Sequence, residues 1–227
     1  MDEPPRDRGW LDVLDQVQAD LVDLLKPVAR TVSLRAGESL FLQGDDAREL
    51  YSLLSGRLEV CVLSESGQNL ALNVLGPGQV FGEIALFDRG RRTATVAALE
   101  ASRLLCASAA ALDQEMRRNP DLAAALLRLA VGRARWISEQ MENLAFAALN
   151  VRLARRLLYL QHRLGEADGS IAVSQTALGG HVSATREAVS KTMAHWKREG
   201  IVEIGRGWVM IRDPDRLRIL SALPPTI

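Results

Sequence analysis

The spacing of apolar positions changes character several times along the 227 residues of this chain. Near the start, Trp10, Leu14, Val17, Leu21 and Leu24 recur at steps of three and four, which predicts a short amphipathic helix ending near Pro27. From about residue 30 to 107 that period gives way to short apolar or alternating runs: TVSL, SLFLQ, ELYSLLSG, RLEVCVL, NLALNVL, TATVAAL and SRLLCA. Turn signals separate them at Ala36-Gly37, Gly44-Asp45, Ser55-Gly56, Ser66-Gly67 and Gly76-Pro77-Gly78. Many short strands at regular spacing with glycine turns predict an antiparallel sandwich or barrel.

Asn119-Pro120-Asp121 then restores the helical period, with Asn as N-cap, Pro in the first turn and Asp favourable against the helix dipole. No breaker follows before about Phe146, which gives a helix of about 40 Å at 1.5 Å per residue. Ala123, Leu127, Ala130, Ala134, Ile137, Met141 and Leu144 alternate steps of four and three along it. That is the spacing of a coiled-coil seam, with small residues that allow close approach. Such a stripe packs either on its own domain or on a second helix. A helix this long outreaches one small β domain, so a homodimer is the expectation.

The last third reads as helices and a hairpin. NVRLARRLLYLQHRL forms a helix ended by Gly165, and the loop EADGS follows. Ser174 caps SQTALGG, the short turn HVSAT comes next, and TREAVSKTMAHWKREG runs to Gly200. IVEI and WVMI flank Gly205-Arg206-Gly207, a hairpin signal, and Pro214 starts a last short helix. Two short helices across a tight turn, then a hairpin, are the layout of a winged helix-turn-helix. On its second helix Val189 and Met193 share one face, and Arg186, Glu187, Ser190 and Lys191 take the other. Arginine suits guanine O6 and N7, and a carboxylate suits cytosine N4, in the major groove. Ser174, Gln175, Thr185 and Arg206 are candidates to hold phosphates.

Charge agrees with that division. Formal net charge is zero, yet residues 151–227 carry 12 Lys/Arg against 7 Asp/Glu, and the remainder 16 against 21. A basic end beside an acidic front points to a polyanion partner for the basic part. The two cysteines, Cys61 and Cys106, lie in apolar runs without CxxC spacing, so buried small side chains are expected and no iron–sulfur cluster. The start, MDEPPRDRG, does not resemble a signal peptide, and no uncharged apolar run reaches the roughly 20 residues of a membrane span. A cytoplasmic location and no membrane partner follow as expectations.

One stretch does not fit an ordinary strand corner comfortably. FGEIALFDRGRRTATV, residues 81–96, holds two glycines, two carboxylates, three arginines and two hydroxyls in sixteen positions. Read alone it is either a salt-bridged corner or the wall of a pocket for an anion that also carries hydroxyls. In the second case Arg92 and Thr93 hold a phosphate and Glu83 meets a hydroxyl. Gly82 and Ala85 let backbone approach closely, beside Ile84 and Ala94.

This stretch resembles the phosphate-binding cassette of cyclic-nucleotide-binding domains. The step of nine from Glu83 to Arg92 resembles that of eukaryotic kinase regulatory domains and is one residue shorter than in the bacterial catabolite activator. NPD at 119–121, NLAF at 143–146 and TREAVSK at 185–191 resemble the matching segments of the CRP/FNR superfamily, over about residues 12 to 220. The resemblance implies an α+β chain in three parts. These are a jelly-roll-like β-roll sensor at 1–118, a dimerisation helix at 119–146 and a winged helix-turn-helix at 147–227. It implies cyclic AMP or cyclic GMP as effector, with no metal, haem or cluster. Glu83 would take the ribose 2′-hydroxyl, Arg92 and Thr93 the phosphate, Ile137 and Ser138 the base, and Arg133 would face Glu83. Arg186, Glu187 and Lys191 would read a near-palindromic DNA site with TGTGA-like halves, and RNA polymerase is a further expected partner. Ile137 stands where adenine-reading relatives carry a hydroxyl. Lys191 replaces an arginine and cannot form its bidentate fork.

Two other readings remain. One is a regulator of the same fold that is constitutive or answers another small ligand. The other is an enzyme such as a metal-dependent β-barrel oxygenase. The latter needs clustered histidines in the barrel, whereas His162, His181 and His195 all fall outside it.

Overall fold

The computed structural model describes residues 9–63, 69–165 and 168–222. The Ser66-Gly67 turn, part of the EADGS loop and the side chain of Trp10 lie outside what is described. The chain divides into two compact units, one within residues 1–68 and 73–137, the other within 69–72 and 138–227.

The first unit opens with α1 (Gly9–Leu25), which passes through a 3-10 turn at Lys26–Val28. Strands follow: β1 (Arg30–Leu34), β2 (Ser39–Phe41), β3 (Glu49–Ser55), β4 (Leu58–Leu63), β5 (Asn69–Leu75) and β6 (Val80–Phe81). After the one-turn helix α2 (Glu83–Phe87) come β7 (Thr95–Ala98) and β8 (Ser102–Ser108). Two helices complete the run, α3 (Ala109–Arg118) and α4 (Pro120–Phe146). The strands form two four-stranded sheets, β1-β8-β3-β6 and β2-β7-β4-β5. The pairings β1–β8, β3–β8, β3–β6, β2–β7 and β4–β7 are antiparallel. Alternating residues of these strands make one core, with Leu53, Leu58, Phe81, Val96 and Leu104 at its centre.

A second core lies under the helices. Val17, Leu21 and Leu25 of α1 pack on Leu50, Val80 and Leu112, and on Leu122, Leu126 and Leu129 of α4. Each fully buried leucine contributes about 1.5–3 kcal/mol relative to exposure. The α1 stripe therefore ends on Leu25, and Leu24 is only partly buried. On α4 the residues turned inward, Leu122, Ala125, Leu126 and Leu129, are not those of the seam. Ala123, Leu127, Ala130, Ala134, Ile137, Met141 and Leu144 are all exposed, Leu127 and Met141 at 66% each. The seam does not pack on the chain's own domain.

The second unit contains α5 (Leu149–Leu164), β9 (Ser170–Ile171), α6 (Gln175–His181) and α7 (Arg186–Arg198). It ends with the hairpin β10 (Val202–Gly205) and β11 (Trp208–Ile211) and with α8 (Pro214–Ser221). The hairpin and β9 form a three-stranded sheet in the order β10-β11-β9, antiparallel throughout. α5 packs on α8 and α6 on α7. Gly179 sits in the helix-turn-helix where a Cβ would lie 2.8 Å from the Ala184 carbonyl oxygen, so only glycine permits this close approach.

Candidate functional site

β6 runs directly into α2 through Gly82, whose φ of +90° is strained for any L side chain. A Cβ there would also stand 2.7 Å from Nη1 of Arg92. The next residue, Glu83, is only 2% exposed. Both its carboxylate oxygens accept from Nη1 of Arg133 at 2.5 Å, and the other amino group of Arg133 donates to the Val80 carbonyl. Ala85 is buried beside them, whereas Ile84 points to solvent. The structure thus brings Gly82, Glu83, Arg92 and Arg133 together from β6, α2, the segment before β7, and α4.

Arg92 is the unusual member. Its side chain is 4% exposed, yet among the described residues no carboxylate is bonded to it. Nη1 donates to the Gly82 carbonyl at 2.9 Å and Nη2 to the Glu49 carbonyl at 2.7 Å. Nε is buried with no hydrogen-bond partner. Burial pulls the guanidinium below its ordinary pKa, partly opposed by the neighbouring Tyr51 hydroxyl and Glu49 carboxylate. A buried cation with a spare donor is a site that an anion would complete.

Behind Arg92 lies a network that the sequence pattern did not announce. The Tyr51 hydroxyl donates to Glu49 Oε2 at 2.7 Å, and Arg30 Nη2 donates to Oε1 at 2.9 Å. Burial, followed by Glu49, raises the Tyr51 hydroxyl far above its usual range. The same two causes push the Cys106 thiol up to about 12. Cys61 and Cys106 are both buried, as expected, and neither is in a disulfide, but Cys106 lies against a carboxylate rather than in a purely apolar shell. Thr93 is exposed and Ala94 buried. Ile137 and Ser138, one turn beyond Arg133 on α4, are exposed.

The second unit presents a helix face. Thr185 Oγ1 accepts from the Ala188 N–H at 3.2 Å, and Ser174 Oγ from the Ala177 N–H at 3.1 Å, so both hydroxyls act as N-caps. Each still has its own proton to donate. Val189, Met193 and Trp196 are buried. Arg186, Glu187 and Lys191 are exposed, Ser190 and Gln175 half-buried, and Arg206 stands exposed in the turn between β10 and β11. Behind this face Arg156 Nη2 on α5 donates to His181 Nδ1 on α6 at 2.8 Å. Arginine can only donate, so Nδ1 must be the unprotonated acceptor. Burial, and then the Arg156 charge, lowers the His181 pKa to about 3.

No group of three or more His, Cys, Asp or Glu suited to a metal ion occurs among the described residues, and no described helix is long and apolar enough to cross a membrane. Residues 31–119 match the family model of the cyclic nucleotide-binding domain, and residues 151–220 that of the Crp-like helix-turn-helix domain. The chain is 32% identical over 178 residues to the cyclic AMP receptor protein of Thermus thermophilus, covering 78% of this chain and 81% of that protein. It is 26% identical over 210 residues to the CRP-like cAMP-activated global transcriptional regulator of Mycobacterium tuberculosis, covering 90% and 94%. Among solved structures, a CRP/FNR family transcriptional regulator from Thermus thermophilus superposes with a TM-score of 0.72 at 27% identity, over 86% of this chain and all of the other.

Proposed function

The chain belongs to the CRP/FNR family of transcription regulators, and from that premise we propose a homodimer whose β-roll binds a cyclic nucleotide and whose winged helix-turn-helix reads DNA in response. It is a regulator and not an enzyme. In this proposal residues 1–118 are the sensor, 119–146 the dimerisation helix and 147–227 the DNA-binding part. The effector is cyclic AMP or cyclic GMP.

The observation that carries the sensor half is Arg92. It is a buried guanidinium with an unpartnered Nε, beside a glycine whose missing Cβ leaves it room. A cyclic phosphodiester supplies the absent acceptor and counter-charge. Thr93 adds a hydroxyl to the same phosphate. Glu83 has lone pairs left after accepting from Arg133, and these take the ribose 2′-hydroxyl. Ile137 and Ser138 cap the base. With isoleucine at 137, polar readout of the base edge is reduced, so the two purines are less sharply separated.

In the DNA-binding half, Arg186, Glu187 and Lys191 contact base edges, with Ser190 on the same face. Ser174, Gln175, Thr185 and Arg206 hold phosphates. Two such helices about 34 Å apart fit a near-palindromic site with TGTGA-like halves. A DNA and RNA polymerase partnership places the protein in the cytoplasm. Ligand raises DNA affinity only as far as it prefers the DNA-competent state.

The test is calorimetric titration with cyclic AMP and cyclic GMP, repeated on Arg92→Ala. Loss of a charge-assisted bond weakens binding by about 10- to 100-fold. Unchanged binding in that variant refutes the pocket.

A further inference from the structure

Phe41 closes β2, and its ring lies beneath the Arg92 guanidinium, 4.2 Å from centroid to Cζ. Tyr51 on β3 offers a second ring at 5.5 Å. The two centroids are 5.7 Å apart, and Phe81 stacks on Tyr51 at 5.6 Å, so the rings brace one another. The chain has four Phe, four Trp and two Tyr, and three of these ten cluster here, two of them against one arginine. A core position alone does not need that. Leucine fills comparable space, but only an aromatic face attracts a planar cation.

The carbonyls of Gly82 and Glu49 fix the two outer nitrogens of the same guanidinium. A ring face and two hydrogen bonds leave it little freedom. Glu49 is itself braced by Tyr51 and Arg30.

We propose that Phe41, with Tyr51 beside it, is a positioning residue for Arg92. The ring faces hold the guanidinium flat, so that a phosphodiester meets a donor already oriented. A long side chain ordered in advance does not lose that freedom at the moment of association. Desolvation strengthens the ring–cation attraction, because few water molecules compete for a guanidinium so deeply buried. The role in ligand binding rests on the cyclic-nucleotide reading, but the caging of Arg92 does not.

Both parts can be read in one set of proteins. In isotope-labelled full-length chain without ligand, the Nε–Hε resonance of Arg92, assigned by its loss in Arg92→Lys, is expected to be ring-shifted and slow to exchange with water. Phe41→Leu reduces the shift, leaving the contribution of Tyr51, and weakens cyclic AMP and cyclic GMP alike by about tenfold. Phe41→Tyr, which restores a ring, keeps both properties. An equal loss for both nucleotides marks a lesion at the phosphate, and the change in the Arg92 signal separates it from a general loss of packing, which tyrosine would also rescue. The proposal is overturned by an ordinary, fast-exchanging Arg92 signal in the wild type, or by an unchanged signal in Phe41→Leu. Should Phe41→Leu not fold, the wild-type signal decides by itself. A caged Arg92 in a protein that binds neither nucleotide overturns the cyclic-nucleotide reading and leaves the positioning role standing.

Discussion

Glu83 and Arg133 are unequal partners, because Glu83 is sealed from water and the Arg133 side chain keeps 24% of its exposure. Removing the arginine leaves a buried carboxylate without a cation, whereas removing the carboxylate's charge leaves an arginine that can still reach solvent. Arg133→Ala is therefore expected to lower the unfolding free energy by about 3 kcal/mol in urea denaturation. Adding Glu83→Gln to that variant should recover part of the loss, since an amide needs no counter-charge. The bond from Arg133 to the Val80 carbonyl is absent from both proteins and cancels in the comparison. A double variant no more stable than Arg133→Ala would show that the buried charge is not the cause. Glu83 and Arg92 could be picked out from the sequence because nine positions across a glycine turn hold complementary chemistry. Phe41, Glu49 and Tyr51 could not. Their strand pattern says only which side faces inward, and the Glu49 contact is made by a backbone carbonyl 43 positions from Arg92, which no residue type encodes.

At the scale of elements, the longer strands and helices follow the hydrophobic period closely, and the failures are the short ones. β6 and β9 have two residues each, too few to show alternation. α3 has Leu112 and Met116 four apart but only ten residues, although Ser108 caps it as a sequence signal would allow. α2 reads as a turn because five residues make little more than one. The junction of α5 with α6 gives the element-scale prediction. An unfolded histidine takes up its proton near pH 6.5, whereas His181 beside Arg156 resists until about 3. Between those values the unfolded chain binds more protons, so stability falls as pH drops through that window and is unaffected by this group above it. Urea midpoints followed from pH 7 to 4 should decline more steeply in the wild type than in His181→Gln. Parallel curves would mean that His181 is protonated in the fold after all.

For the whole molecule, α4 decides more than its own stability. Its inward residues, Leu122, Leu126 and Leu129, already belong to the core of the first unit, while Leu127, Ile137, Met141 and Leu144 of the seam stay exposed. Large apolar side chains left in water in a continuous row mark an association surface. A parallel pair of such helices buries them at a/d spacing. The proposed DNA site needs the same pairing, because one recognition helix reads only one half-site. Leu127→Glu with Met141→Glu places like charges on the seam without touching Glu83, Arg92 or α7. This variant should sediment as a single chain while the wild type sediments at twice that mass. Its affinity for a full palindromic site should fall by about 100-fold or more, toward that for an isolated half-site. Cyclic-nucleotide binding through Glu83 and Arg92 should persist. A variant that stays dimeric would move the interface off the seam, and one that is monomeric yet binds the full site undiminished would separate pairing from DNA recognition.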